Sequence, residues 1–442
     1  MIKAIQILTI TVLTSFAIFP FFFSFLPTIN TKMFMAVMGL LAFSLDCINR
    51  HNLQFVQRLF SISLWALGVS FCSLLTMTLN NTPDNSYWGY IVSMWVWLFA
   101  AYFCVRLIRL VHGNISVETI GYYLMAVALL QCMLAILIHY IPFVETLAER
   151  YVTGEKYMGV GVGKGRLYGV GCALDVGGGR LGAILIMVVY LILQQIRWQA
   201  PKWKQIGLLI AFFCILICGN MMGRTTTVGG VVALAYGAFT ILTDRKMKPE
   251  SVRSFFSMLS VVLVVGAALC IGLYNTNGGF HKLFRFGFEA FFNYFEYGKF
   301  ETNSTNMLSE GLIFPDNFRT WVIGDGYMAS GSNDPYYIGP SDYGFYMNTD
   351  AGYSRFLFYF GLVGLSVFSA FFINVCRICT CQLGKTGMLF VAMLALNFCI
   401  WIKASTDLFV IFAPFLCLDD KSILWGEHHK NVLLGTLDKQ ES

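Results

Sequence analysis

Apolar runs of about bilayer length recur through the chain, near 4–27, 32–48, 59–79, 88–108, 118–141, 180–196, 206–221, 226–243, 254–274, 352–376, 386–403 and 405–419. Some 20 apolar residues cross the roughly 30 Å hydrocarbon core as an α-helix, which satisfies every backbone polar group without water. The expected fold is therefore all-α, a polytopic integral membrane helical bundle of about twelve transmembrane helices. The composition agrees. Of 442 residues, 57% are hydrophobic and 12% charged, about half the charged fraction of a soluble domain. Most of the 13 cysteines, such as Cys72, Cys104, Cys132, Cys214, Cys218, Cys270 and Cys399, fall inside apolar runs, where a thiol behaves as a small hydrophobe. The CRICTC cluster at Cys376, Cys379 and Cys381 has no histidine beside it, so packing is expected there and not a metal.

Lysine and arginine collect in the cytoplasmic turns of membrane proteins. With the N-terminus inside, alternate turns hold Arg50 and Arg58, then Arg106 and Arg109, then Arg197, Lys202 and Lys204, then Arg245, Lys246, Lys248 and Arg253, then Arg377 and Lys385. The intervening turns are poorer, with Lys32 and Lys403 as single exceptions. Both termini are then expected inside. Residues 275–351 form one large outer loop, periplasmic in a Gram-negative cell, between spans in 1–274 and spans in 352–442. The first run is too long for a signal peptide and lacks a small-residue cleavage site, so it reads as a retained span. The net charge of +6 is spread over the turns and makes no case for nucleic acid.

Three outer places carry arginine against the charge rule. They are the loop 142–180, with Lys164, Arg166, Asp175 and Arg180, the turn GNMMGRTTTVGG around Arg224, and the long loop with Arg319 and then Arg355. A guanidinium near the end of an apolar helix is costly unless it pairs, reaches the interface or faces a water-filled cavity. For any single arginine, snorkelling or a pair with Asp175 is account enough. Several converging on one cavity make a phosphate site, because the planar fork holds phosphate oxygens bidentately. The glycines of GVGVGKGRLYGVG lack P-loop spacing and are expected to serve tight turns or close approach to a ligand. Those after Arg224 are expected to serve close helix packing.

In the long loop, HKLFRFGFEAFFNYFEYGKF places Phe284, Phe288, Phe291 and Phe295 on one helical face and Lys282, Arg285, Glu289, Asn293 and Glu296 on another. That pattern fits a helix in the membrane interface or a lid packed on the bundle. WVIGDGY puts Asp325 between two glycines after a strand-like run, as a turn former or as one member of a catalytic carboxylate pair. Asp350 opens the next span with Arg355 about one helical turn further on; it either caps the helix or acts as a base. Trp321, Tyr327, Tyr336, Tyr337 and Tyr353 keep the stretch aromatic, which argues for order, since a disordered segment is normally poor in aromatics. His428 and His429 sit in a solvated tail.

These stretches resemble the bacterial O-antigen and capsular polysaccharide polymerases (Wzy type), within the superfamily that also holds the O-antigen ligases. GRLYGVGCALDVGGGRLGAILI is similar to the outer arginine-and-glycine motif before a span in that family. GNMMGRTTTVGG is similar to its short turn opening the next helix. WVIGDGY with TDAGYSRFLFYFGLVGL is similar to the end of its large periplasmic loop and the span after it. Ligase-like members open that last motif with a His-Asn pair; Asp350 stands at the nearest position here, which favours polymerase. The resemblance implies a GT-C-like, metal-independent glycosyltransferase of the bacterial inner membrane, needing no cofactor. It would join undecaprenyl-diphosphate-linked oligosaccharide repeat units on the periplasmic face. Arg166, Arg180 and Arg224 would hold the leaving diphosphate. Asp350 would be the base, with Asp325 the second choice, and Arg319, Asp325, Trp321, Tyr327, Tyr353 and Arg355 would bind substrate. Implied partners are the lipid-linked oligosaccharide, membrane lipid, and a chain-length regulator and flippase of the same pathway. The alternatives are a ligase that transfers glycan to a lipid core and a non-enzymatic flippase or transporter. A transporter is expected to carry internal repeats and a midplane site, and the sequence has neither.

Overall fold

The computed structural model describes residues 2–50, 53–153, 165–244, 247–329 and 344–418. In chain order the elements are α1 (Ile2–Ile18), strands β1 (Phe22–Phe23) and β2 (Leu26–Asn30), α2 (Thr31–Arg50), α3 (Leu53–Asn80), α4 (Tyr90–His112), α5 (Val117–Tyr140), α6 (Pro142–Tyr151) and β3 (Val152–Thr153). There follow α7 (Leu174–Arg197), α8 (Lys202–Met222), α9 (Thr225–Thr243) and α10 (Pro249–Thr276). The long loop carries α11 (Gly278–Gly287), α12 (Glu289–Tyr297), α13 (Asn303–Gly311), α14 (Phe318–Ile323) and a 3-10 turn at Tyr346–Asn348. The chain closes with α15 (Gly352–Leu383), α16 (Gly387–Lys403) and α17 (Phe409–Leu416). Among the described residues, eight helices, namely α3, α4, α5, α7, α8, α9, α10 and α15, are long and apolar enough to cross a membrane.

Two of the expected spans differ from the helices that form. The first run, 4–27, is helical only to Ile18, because the ring of Pro20 disfavours helical backbone in the residue before it and supplies no N–H to continue the ladder. Beyond it the chain turns into β1 and β2, which with β3 make a small antiparallel sheet in the order β2-β1-β3. Among the described residues of the last run, 405–419, only the eight of α17 are helical, and all of them are buried. At 1.5 Å per residue α17 is about 12 Å long, well short of a bilayer.

The bundle is built around α7. Every residue from Gly177 to Ile196 is buried, as expected of a helix that is apolar all round. Its tightest neighbour is α9. A Cβ on Gly229 would stand 2.1 Å from the Cα of Gly182, and one on Gly178 would stand 2.2 Å from Thr225 Oγ1. Small residues let the two backbones touch, which is the main route to helix association in lipid. Gly229→Val is therefore expected to force the pair apart, at a cost of about 1–3 kcal/mol or more. The check is the thermal midpoint of the purified protein, which should fall by several degrees; a midpoint like that of the wild type would contradict it. At the other extreme, α10 buries only Phe255 and turns its apolar side chains outward, a surface suited to lipid.

The long loop is stitched to the bundle at a kink. Gly361, inside α15, has φ +62°, and a Cβ there would meet Val322 O at 2.3 Å. The kink frees the carbonyls of Phe358 and Tyr359, which accept from Asp325 N at 2.6 Å and Gly326 N at 3.1 Å. From the other side, α3 and the residues after it donate to the same turn: Thr76 Oγ1 to Ile323 O at 2.8 Å, Asn80 Nδ2 to Gly324 O at 3.0 Å and Thr82 Oγ1 to Gly326 O at 3.1 Å. Two sequence expectations are corrected here. The strand-like run before Asp325 is the short helix α14. The amphipathic segment is two helices, broken at Phe288 (φ −116°, ψ 26°).

Candidate functional site

The turn between α8 and α9 is only Gly223 and Arg224, so Arg224 is held at the very start of α9. The irregular segment carrying Arg166 is pinned beside it, since Leu167 N donates to Met221 O at 2.9 Å. From these two anchor points both guanidinium groups stack on one ring: Arg166 lies 4.6 Å and Arg224 4.8 Å from the centroid of Phe286, on α11. Both are within cation–π range. Arg224 also pairs with Glu289, the first residue of α12. Arg166 forms no ion pair among the described residues. Burial first, and then the like charge of Arg224, holds the Arg166 guanidinium below its ordinary pKa. Against the carboxylates of Glu289 and Asp175, the charges of Arg166, Arg224 and Lys403 leave the spot net positive. The N-termini of α7 and α9 meet there too, with Thr225 Oγ1 3.4 Å from Asp175 O, and their aligned peptide dipoles add partial positive charge.

Asp175, in the first turn of α7, continues the cluster. It pairs with Lys403 at the end of α16 at 2.9 Å. Next comes Asp350, whose electrostatic neighbours are Lys403, Asp175 and Arg355. Burial pushes the Asp350 carboxyl above the usual carboxylate range and the charge of Asp175 pushes the same way, against Lys403 and Arg355. The N-cap of α15 is Ala351, and no side chain caps that helix. Of the two roles open to Asp350, the structural one is thus not used. Arg355, one turn on, donates to Ser405 Oγ at 2.7 Å and Met328 O at 3.0 Å and lies 4.4 Å from the Phe345 ring centroid.

Arg180 belongs to a second, deeper group. It is five residues along α7 from Asp175, about 7.5 Å down the axis. Its Nη1 donates to Ile18 O at 2.8 Å, and its guanidinium lies 5.1 Å from the centroid of Trp97. Lys32 lies 4.0 Å from the same ring. The counter-charge is Asp407, in the non-helical link before α17, which accepts from Phe409 N at 3.1 Å and Tyr90 OH at 3.5 Å and has Arg180 and Lys32 as electrostatic neighbours. Tyr87 joins the two groups: Asp407 and Arg355 both act on it electrostatically, and its OH reaches Ser405 O at 3.5 Å. The arginines expected together are thus divided, with Arg166 and Arg224 on Phe286 and Arg180 on Trp97.

Several members of these groups had a mark in the sequence. Lys32 and Lys403 are the two single exceptions to the charge rule, and Asp407 is a carboxylate inside an apolar run, where a charge is by default functional or paired. Glu289 reads only as part of a polar helix face. Phe286 has no mark at all, being one phenylalanine in a segment crowded with them.

The remaining substrate-binding candidates lie elsewhere, on the loop and, for Tyr353, at the start of α15. Arg319 donates to Leu79 O at 3.1 Å, at the end of α3. Trp321 Nε1 donates to Pro315 O at 2.7 Å, and its ring lies parallel to Phe314 at 5.8 Å. Tyr327 stacks on Tyr346 at 5.2 Å. The Tyr353 hydroxyl donates to Phe398 O at 3.1 Å, and its ring meets Trp401 edge-on at 6.0 Å. Asp325 accepts from Thr320 Oγ1 at 2.5 Å and Tyr346 OH at 3.1 Å, on a turn whose glycines 324 and 326 have φ +74° and +81°. Both of its carboxylate oxygens are thus bonded within the loop. Lys164, Tyr336, Tyr337, His428 and His429 lie outside the described residues. Among the described residues no group of three His, Cys, Asp or Glu side chains is arranged to hold a metal ion. No protein-family model, no curated protein and no solved structure matches this chain.

Proposed function

We propose that this protein is a membrane glycosyltransferase that polymerises oligosaccharide repeat units carried on a lipid diphosphate, working at the outer face of the bacterial inner membrane. The observation that carries the assignment is the pair Arg166 and Arg224 on one ring, at the junction of two helix N-termini, with Asp350 in the adjoining charge cluster. A diphosphate bound there is held by charge-assisted hydrogen bonds. The hydroxyl oxygen of the acceptor unit attacks the anomeric carbon of the donor glycan. The bond from that carbon to the diphosphate oxygen breaks, and its electron pair leaves with the diphosphate. Arg166 and Arg224 stabilise the charge that develops on that oxygen, and Asp350 takes the proton of the attacking hydroxyl. Arg180, with Lys32 and Asp407, holds the inner wall of the same end of the bundle. Undecaprenyl diphosphate is the carrier implied by the family likeness, and a chain-length regulator and flippase are the partners it implies.

The purified protein in liposomes with lipid-linked repeat units tests the assignment. Chains longer than the input unit are expected, made without a nucleotide sugar; input units that stay single would contradict it. The rate should also report Asp350. A base must be ionised, so activity is present above the folded pKa of Asp350 and is lost as the pH falls through it. That pKa is raised, so the acid limb of the pH–rate profile is expected above the roughly 3.9 of an unperturbed aspartate. A limb at or below that value would remove Asp350 as the base.

A further inference from the structure

The Arg166 and Arg224 site is not open as it stands, because the long loop covers it with a carboxylate of its own. α11 is anchored: Leu283 and Gly287 are buried, and a Cβ on Gly287 would meet the end of α8 at 3.3 Å. α12 is not. It buries no residue, and it follows a break at Phe288. Its ties to the rest are the stack of Phe292 on Tyr274 at the end of α10 at 5.7 Å, the more exposed ion pair of Glu296 with Arg285 on α11, ring contacts within the loop, and the ion pair of Glu289 with Arg224, at side-chain exposures of 21% and 16%. The other oxygen of Glu289 accepts from Asn303 N at 3.3 Å, so one carboxylate joins Arg224, α12 and the start of α13. At its far end α13 meets the candidate base. Thr349 Oγ1 donates to Gly311 O, and a Cβ on Gly311 would stand 3.8 Å from Asp350 Oδ1. Residues 289–311 therefore run as a strap from the arginine pair to Asp350.

We propose that Glu289 is a latch: its carboxylate occupies the anion position at Arg224 in the unliganded protein, and a diphosphate group displaces it and frees the strap. Carboxylate and phosphate compete for the same guanidinium fork, and the diphosphate brings more charge and more acceptor oxygens. The ring of Phe286 stays on anchored α11, so the arginines keep their positions while the cover lifts. Opening the strap would uncover the path between the leaving group and Asp350 only once a charged donor is seated. The proposal rests on the anion-site assignment above, and the experiment separates the two.

Full-length protein in neutral-lipid nanodiscs is titrated with inorganic pyrophosphate, and in a second arm reconstituted with a polyprenyl diphosphate. Binding is measured for the wild type, Glu289→Gln and Arg224→Ala, and amide exchange is followed over residues 289–311. Removing the competing carboxylate should tighten diphosphate binding by about tenfold. In the wild type, exchange over 289–311 should quicken on binding, and in Glu289→Gln it should be quick already. Quickening by the lipid-borne group alone assigns the ligand to the lipid and supports the latch. Equal or weaker binding by Glu289→Gln, with Arg224→Ala still defective, would overturn the latch and leave the anion site standing. So would unchanged exchange in the liganded wild type, a comparison that needs no variant. If neither form of diphosphate binds in an Arg224-dependent way, the anion site fails and the latch fails with it.

Discussion

Arg224→Ala should lower the rate of chain extension by roughly 10²–10³-fold, the usual cost of losing one preorganised donor to a developing oxyanion. The residue has little freedom to be replaced in place. It sits in a two-residue turn at the start of α9, stacked on Phe286 beside Arg166, and no neighbouring cation can move into that position without breaking its own contacts. Arg224→Lys keeps the charge but loses the planar fork, so it should recover only part of the rate. The check is initial rate in liposomes with saturating lipid-linked units. A rate within about twofold of the wild type, against the 10²–10³-fold expected, would show that this guanidinium does not meet the leaving group. The strap gives a second reading of the same variant, since Glu289 loses its partner and amide exchange over 289–311 should rise.

Asp350→Asn should cost roughly 10²–10⁴-fold in rate, the range for removing a positioned general base, while leaving the fold intact. The two halves of that statement are separable because Ala351, not Asp350, is the N-cap of α15. An asparagine is close in size and relieves a half-buried carboxylate whose ionisation burial disfavours. The thermal midpoint should therefore hold or rise slightly as the rate collapses, and the acid limb of the pH profile should disappear with it. A fall in rate matched by a fall in stability would instead mark Asp350 as structural.

The helical bundle was legible because the bilayer imposes one length on every span, so apolar runs report helices directly. Where that report failed, a local residue overrode it. Pro20 ends α1 early, and the run 405–419 hides a charge, Asp407, and only two turns of helix. The helix before Asp325, FRTWVI, is only six residues long, and over so short a run a strand and a helix share the same pattern. The candidate site was legible where it broke a rule. Arg166 and Arg224 stood out as outer-side cations, and they converge; Arg180 stood out equally and lies deeper, because a violation of the charge rule marks a depth and not a partner. Lys32 and Lys403 broke the same rule singly and proved to belong to the two groups. Phe286 and Glu289 could not be found this way. What singles them out is the break at Phe288 that turns α12 back over the arginines, and a break between two helical patterns leaves no charge or spacing to read.

The most direct test of polymerisation is the surface-glycan ladder of cells lacking this protein, resolved on a gel beside cells complemented with the wild type, Arg224→Ala or Asp350→Asn. The ladder is expected to be lost in the deletion and in both variants, leaving single repeat units attached to their carrier or core, and to be restored by the wild type. Long polymer accumulating on the lipid carrier would contradict polymerisation in favour of ligation, and loss of all outward-facing lipid-linked units would contradict it in favour of transport.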